Sequence, residues 1–399
     1  MKNELISIIV PMYNSQNTIQ KCVDSILNQT YTDIEVILVN DGSIDRTLEI
    51  CKNYKEKDSR IKIISQSNMG LISARIAGIN SSAADYVGFV DSDDWIEPTM
   101  FEELFECMAK YECDVVSSGI YRDYVEDNYT QEVYDDFPEG EYRDLESSIY
   151  KTMLWDDKKK DFGVHCELVN KLFKKKLIKK IYDKIDTRVF YGEDCLTFFS
   201  YMMLAKSIYI LKKSFYHYII HSDSMCRKAD EGLLLNTYYL YKGLDNAFDG
   251  YGEVSYLLRR QLRRYILEIE AHSLRQMYNV SIDSLGVWKF DYPEVKKKQV
   301  VIYAAGGCSV ALSKYLVEDM GCSIVAWLDK KPQDKEKMCL HEIRPAKDIE
   351  ELNFDYLVIG VEHELLAKSI KKELEQIYDV PEDKILWKHA DHNSIFDSL

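Results

Sequence analysis

The stretch Tyr86-Val87-Gly88-Phe89-Val90-Asp91-Ser92-Asp93-Asp94-Trp95 decides how the chain is read. A short apolar run ends abruptly in Asp91, Asp93 and Asp94. Apolar runs of this length, closed by polar turns, read as fully buried strands. Upstream the same grammar repeats. Leu5–Met12 is apolar and β-branched and ends in Pro11-Met12-Tyr13-Asn14. Ile34–Val39 ends in Asn40-Asp41-Gly42-Ser43, and Ile61–Ser65 supplies a third strand. Between the first two, Ile19, Cys22, Val23, Ile26 and Leu27 fall at i, i+3, i+4, i+7 and i+8, one face of an amphipathic helix. The pattern predicts a short helix capped near Ser43 or Asp45, another over roughly Leu71–Asn80, and a further strand at Asp114–Ser118. Strands alternating with helices predict the α/β class, with a parallel sheet covered on both faces. Ligands of such sheets bind outside the carboxyl ends of the strands. The chemistry is therefore expected at Tyr13, Asp41 and Asp91–Asp94.

Composition frames this reading. The chain has 399 residues, room for two or three domains at ~100–200 residues each. Apolar residues are 46% and charged residues 30%, which excludes wholesale disorder. Lys plus Arg is 51 and Asp plus Glu is 67, a net charge of −16, the wrong sign for a protein whose main partner is nucleic acid. No apolar run approaches the ~18 residues of a membrane helix. The N-terminus lacks the pattern of a signal peptide, so a cytoplasmic location is expected. Ten cysteines without a C-x-x-C pair read as reduced thiols, and no Cys/His cluster has zinc spacing.

Beyond residue 120 the pattern changes. Residues ~120–160 are polar, acidic and tyrosine-rich and read as an irregular excursion. From Lys228 to about Tyr278 the period is helical, with Leu257, Leu258, Leu262, Tyr265, Ile266 and Ile269 on one face. Arg259, Arg260, Arg263 and Arg264 lie on the other; the plain reading is a solvated face, the sharper one a peripheral contact with an anionic membrane. After Lys296-Lys297-Lys298 a new α/β unit opens, with strands at Val300–Ala305, Ser323–Leu328, Asp355–Ile359 and Ile385–Trp387 and helices at Val310–Asp319 and Glu364–Tyr378. The expected domains are thus 1–226, a helical segment 227–295, and a Rossmann-like unit 296–399. In the last, Gly306 and Gly307 suit a phosphate-binding turn and Asp329 follows Gly307 by 22 residues. Ala304 and Ser309 replace the first and third glycines, which favours a structural, assembly or regulatory role over NAD chemistry.

Carboxylates at strand ends need a reason. Taken alone, Asp91, Asp93 and Asp94 suit an exposed acidic cap. In a cleft they need a cation, and hard oxygen ligands suit Mg²⁺ or Mn²⁺, ions that bridge a carboxylate to a diphosphate. Tyr13 offers a ring to stack on a base, Asp41 an acceptor for the imide N–H of uracil, and Arg75, after the Asn68-x-Gly70 turn, a cation for ribose or phosphate.

The ordered set P-M-Y-N, V-N-D-G-S-I-D-R-T, S-N-M-G-L-I-S-A-R-I-A-G and Y-V-G-F-V-D-S-D-D-W resembles family 2 glycosyltransferases of the GT-A fold, closely over residues ~5–120 and more weakly to about 226. The resemblance implies a nucleotide-diphosphate sugar donor, usually a UDP-sugar, a divalent metal and inversion at the anomeric carbon. It implies donor-binding roles for Pro11, Tyr13, Asn14, Asp41, Asn68, Arg75, Asp91 and Ser92. It makes Asp91 and Asp93 the D-x-D pair, with Asp93 the direct metal ligand. Asn40 and Ile76 depart from the family's Asp and Asn. Inverting transfer needs a base for the acceptor hydroxyl. Tyr191-Gly192-Glu193-Asp194 resembles the family's G-E-D segment, which makes Asp194 the base and Glu193 a supporting acid; a helix cap is the plain alternative. Tyr216–Met225 resembles the closing segment, with His221 placed to complete the metal or diphosphate site and Ile219 where the family often has Arg. Asn170-Lys171-Leu172-Phe173 is expected to shape the acceptor side.

The expected function is an inverting, metal-dependent glycosyltransferase using a saccharide or lipid-linked acceptor in polysaccharide or glycoconjugate synthesis. Two alternatives stand beside it. A nucleotidyltransferase usually has a Gly-rich basic loop where this chain has P-M-Y-N-S-Q-N. A non-catalytic sugar-nucleotide sensor has no use for Asp194. The sugar, the acceptor and any homo-oligomer stay open at this stage.

Overall fold

In the computed structural model of the chain, residues 4–125, 129–159, 161–220, 232–278, 287–330, 332, 342–361 and 363–393 are described. The chain forms two compact units, Met1–Glu270 and Ala271–Leu399.

The first unit opens β1 (Ile6–Met12), α1 (Ile19–Leu27), β2 (Ile34–Asp41), α2 (Thr47–Lys57), β3 (Ile61–Gln66), α3 (Leu71–Ser81) and β4 (Tyr86–Phe89). β1 and β2 are buried at every position, as continuous apolar runs require. Helix α1 buries Ile19, Cys22, Val23 and Ile26, the face its spacing predicted. The Asp45 carboxylate accepts the backbone N–H and hydroxyl of Thr47, fixing the start of α2. β3, β2, β1 and β4 pair in parallel in that order.

The sheet then departs from the all-parallel expectation. The chain continues through β5 (Trp95–Ile96), α4 (Met100–Tyr111), β6 (Val115–Tyr124), β7 (Tyr129–Val133), β8 (Gly140–Tyr142), β9 (Lys171–Lys174), α5 (Lys175–Tyr182), α6 (Glu193–Met202) and β10 (Ile208–Ile220). Among the described residues the sheet has ten strands, in the order β3-β2-β1-β4-β9-β6-β10-β5, with β7 on β6 and β8 on β10. β9 runs antiparallel between β4 and β6. The Asn170–Phe173 segment, expected on the acceptor side, thus largely forms a central strand. The irregular excursion expected over 120–160 begins as an antiparallel β6–β7 pair. Its side chains are mostly half-buried or exposed, so its strands carry polar sequence.

Helices α7 (Leu233–Ala247) and α8 (Glu253–Tyr278) follow. Leu240, Leu244, Phe248, Leu258 and Leu262 are fully buried in the first unit's core, at about 1.5–3 kcal/mol for each large apolar side chain. Arg259 is held by Asp245 and Asp249, and Arg260 and Arg264 lie within 3.5 Å and 3.8 Å of Asp157. Three of the four arginines of this basic face thus lie beside the protein's own acids. No described helix is long and apolar enough to cross a membrane.

The second unit contains β11 (Val287–Lys289), β12 (Gln299–Tyr303), α9 (Gly307–Glu318), β13 (Ser323–Asp329), β14 (Ile343–Pro345), β15 (Tyr356–Ile359), α10 (Glu364–Ile377), β16 (Ile385–Leu386) and β17 (Asp391–Asn393). Its five-stranded sheet, β14-β13-β12-β15-β16, is parallel throughout. Ala304, where a dinucleotide turn has its first glycine, sits at φ +76°, a conformation glycine adopts more readily. Asp329 is buried and accepts the backbone N–H of Ala305 at 2.8 Å.

Candidate active site

The carboxyl ends of β1, β2 and β4 meet at one edge of the first unit's sheet, as the strand grammar predicted. Each turn is tied to its neighbour. Ser43 Oγ accepts the Asn14 N–H, and Asn14 Oδ1 accepts the Ile44 N–H. Ser15 and Ser92 share a hydroxyl hydrogen bond of 2.7 Å. Asn14 and Ser92, expected against the donor, are joints between turns. Gly42, at φ +75°, must be glycine, since a Cβ would stand 2.6 Å from the Asn68 nitrogen.

Tyr13 presents a ring that is 49% exposed at the end of β1. Pro11, expected beside it as a nucleoside wall, is buried inside the strand opposite Val39. Asp41 is buried. It accepts Gln66 Nε2 and the Met69 and Gly70 N–H groups at 2.8–2.9 Å. A carboxylate has about four lone-pair positions, so roughly one remains for a ligand. Asn68 lies exposed in the turn Asp41 holds.

Arg75 differs most from expectation. It was expected to reach ribose or phosphate, yet it is fully buried. Its Nη1 lies 2.5 Å from Asp194 Oδ1 and 3.6 Å from Glu193 Oε1, and its Nη2 lies 3.4 Å from Asp91 Oδ1. One guanidinium therefore ties the end of β4 to the start of α6, across 119 residues of chain from Arg75 to Asp194. Gly192, at φ +79°, starts α6, and a Cβ there would stand 2.8 Å from Leu240. Asp194 and Glu193 occupy the first turn, where the helix dipole favours negative charge.

The acids respond to this crowding. Burial, then the neighbouring charge of Asp194, pushes Glu193 up to about 8. Burial also pushes Asp91 up to about 6, with Arg75 opposing and Asp194 and Asp93 adding to the rise. Asp94 is a different case. Its oxygens accept the Tyr216 hydroxyl at 2.7 Å and the Ile219 N–H at 2.8 Å, so it holds the turn together. Tyr216 also accepts the Asp91 N–H at 3.1 Å. Sequence reading missed Tyr216 as the clasp of the acidic turn; the Tyr-x-Tyr alternation of β10 was its signal. The Ile219 contact is made by backbone and does not need the family's Arg.

Among the described residues no group of three His, Cys, Asp or Glu side chains converges as a metal cage. The donor set still suits a divalent cation. Asp91 is partly exposed and Asp93 exposed; both are hard oxygen ligands, and Mg²⁺ sites commonly use one or two carboxylates and complete the shell with phosphate and water. His221, the expected third ligand, lies outside the described residues.

The profile of Glycosyl transferase family 2 matches residues 7–182. Glycosyltransferase GlyG of Streptococcus pneumoniae is 32% identical over 226 residues, 56% of this chain and 74% of that protein. The chain belongs to glycosyltransferase family 2. Glycosyltransferase GlyA of the same organism is 35% identical over 235 residues, but the match spans 56% of this chain and only 32% of GlyA. The crystal structure of Staphylococcus aureus TarS residues 1–349 with UDP-GlcNAc superposes with TM-score 0.53 at 20% identity, covering 70% of this chain and 80% of that one. That likeness concerns the fold, and the mixed α/β sheet is accordingly a GT-A fold. The D-x-D turn and the G-E-D helix start of this family 2 chain are the two segments that Arg75 joins.

Proposed function

We propose that the chain is an inverting, metal-dependent glycosyltransferase that moves a sugar from a nucleotide-diphosphate donor, probed first as a UDP-sugar, to an acceptor hydroxyl in polysaccharide or glycoconjugate synthesis. One observation carries the reading: Arg75 holds Asp91 of the D-x-D turn and Asp194 of the G-E-D segment around a single buried cation. A base and a diphosphate site must be within one sugar's reach for in-line displacement, and this tie supports that proximity.

In the proposed reaction Asp194 Oδ2, the oxygen not paired with Arg75, accepts the acceptor's hydroxyl proton. The acceptor oxygen bonds to the anomeric carbon as the bond to the diphosphate oxygen breaks on the opposite face. Arg75 holds Asp194 in place through Oδ1, and a base must be oriented toward the hydroxyl it deprotonates. Glu193, held protonated by burial and by Asp194, is an O–H donor for the sugar or acceptor. Tyr13 stacks on the base, and Asp41 has room to accept an imide N–H. Asp91 and Asp93 would hold Mg²⁺ or Mn²⁺, which neutralises charge on the departing diphosphate.

Incubation with UDP- and GDP-sugars and Mn²⁺, with product stereochemistry read by NMR, tests this. Donor turnover that Asp194→Asn abolishes is expected. Turnover equal in wild type and Asp194→Asn would sink the assignment.

A further inference from the structure

We propose that His217 is a positioning residue that sets the acidic turn Asp91–Asp94 for a nucleotide diphosphate, a role that rests on the donor reading above. The turn leads directly into β5, which is two residues long and lies at the end of the sheet order. β5 pairs with β10 only through Ile96↔Tyr216 and Trp95↔His217, with one further backbone bond from the Glu97 N–H to the Phe215 carbonyl. So short a ladder fixes a strand weakly. Side chains must supply the rest.

Ser25 and Gln29 of the α1 segment respectively accept the Ile96 N–H and donate to the Glu97 carbonyl, and His217, in the last third of β10, grips the same strand through its side chains. Its ring stacks on Trp95 at 3.6 Å and 11°, and on Tyr121 of β6 at 4.7 Å and 26°. Its Nδ1 lies 2.9 Å from Asp123 Oδ2 on β6, and its Nε2 lies 3.1 Å from Glu97 Oε1, just beyond β5. The ring is thus held edge-on by two carboxylates and face-on by two aromatics. Lys21 Nζ of α1 lies over the Trp95 ring, 4.3 Å from its centre, and Glu132 of β7 stands beside Tyr121. The neighbouring residues Tyr216 and Ile219 meanwhile grip Asp94 and Asp91. His217 therefore locks three strands, β5, β6 and β10, at the place where the acidic turn is attached. A ligand that engages Asp91 and Asp93 inherits that alignment.

The test is calorimetric titration of the full chain with UDP in Mn²⁺ buffer, paired with donor kinetics. H217F keeps a stacking ring and removes both donors. H217R supplies a planar group with donors on several nitrogens that also stacks on aromatics. We expect H217F to weaken UDP binding and raise donor KM about tenfold, with kcat within about twofold, and H217R to recover most of the loss. Melting temperature reports folding; where H217F does not fold, Glu97→Gln, which keeps the ring and removes one acceptor charge, carries the same expectation. H217F or Glu97→Gln binding UDP as wild type does, or losing kcat with KM unchanged, overturns the role of His217 alone. A wild-type chain that binds neither UDP nor GDP with Mn²⁺ overturns the donor reading and this inference together.

Discussion

Both units end parallel strands in an acid, and the two acids have opposite fates. In the second unit, Asp329 at the end of β13 turns inward, is buried, and accepts the Ala305 N–H. In the first unit, Asp91 just past β4 keeps a partly exposed side chain and shares its cation with the acids of α6. Asp41, at the end of β2, lies between them, with three protein donors and about one lone pair to spare. The lesson concerns crowding. A strand-end carboxylate buried against the backbone is part of the scaffold; one crowded by like charges around a shared cation, with its side chain still partly exposed, is set up for a ligand.

The contrast can be broken at its strongest point first. Asp194→Asn is expected to lower transfer by ~10³-fold, about 4 kcal/mol, since general bases contribute on that scale. A circular-dichroism spectrum matching wild type is expected alongside. Arg75→Met leaves three carboxylates facing one another without their buried partner, and breaking such an arrangement costs roughly 3 kcal/mol or more. Urea unfolding should show that loss in the first unit's transition, together with lost transfer; an unchanged midpoint would mean the acids do not need their cation. Glu193 gives a smaller, pH-dependent signature. Its proton is held to about pH 8 in the folded state, whereas an unfolded Glu loses it near 4.3. The folded state then binds the extra proton, so stability falls as pH rises from about 4 through about 8. Melting curves from pH 5 to 9 should fall more steeply for wild type than for Glu193→Gln. Asp329→Asn is expected to cost about 1 kcal/mol, since Asn keeps an acceptor oxygen for the Ala305 N–H and loses only its charge, in the second unit alone, with donor turnover unchanged. A large loss of turnover in that variant would erase the distinction between the two acids.

Most of this fold could be read from residues. β1 and β2 are continuous apolar runs, and α1 shows a clear helical period, because burial on two faces or on one stripe leaves those periods in the sequence. β9 was hidden: Lys171–Lys174 is four residues with Lys at both ends, and nothing local says that Lys171 is fully buried. Its ammonium donates to the carbonyls of His165 and Glu167 and to Asn170 Oδ1, partners that the irregular turn just before β9 folds around it and that no strand or helix period announces. The candidate site was legible as separate motifs. Its wiring was not. That Arg75 pairs with Asp194, and that Asp94 belongs to Tyr216, depends on contacts spanning 119 and 122 residues, which no period encodes.

The brevity of β5 has one more consequence. The end strand of a sheet offers unpaired backbone groups to any other strand that passes, a common start of aggregation. Here that strand is two residues long and comes directly after Asp91, Asp93 and Asp94. An intruding chain would find almost no ladder to extend and a concentration of negative charge beside it. The turn that we assign to the donor thereby also discourages another molecule's strand from adding at this end of the sheet.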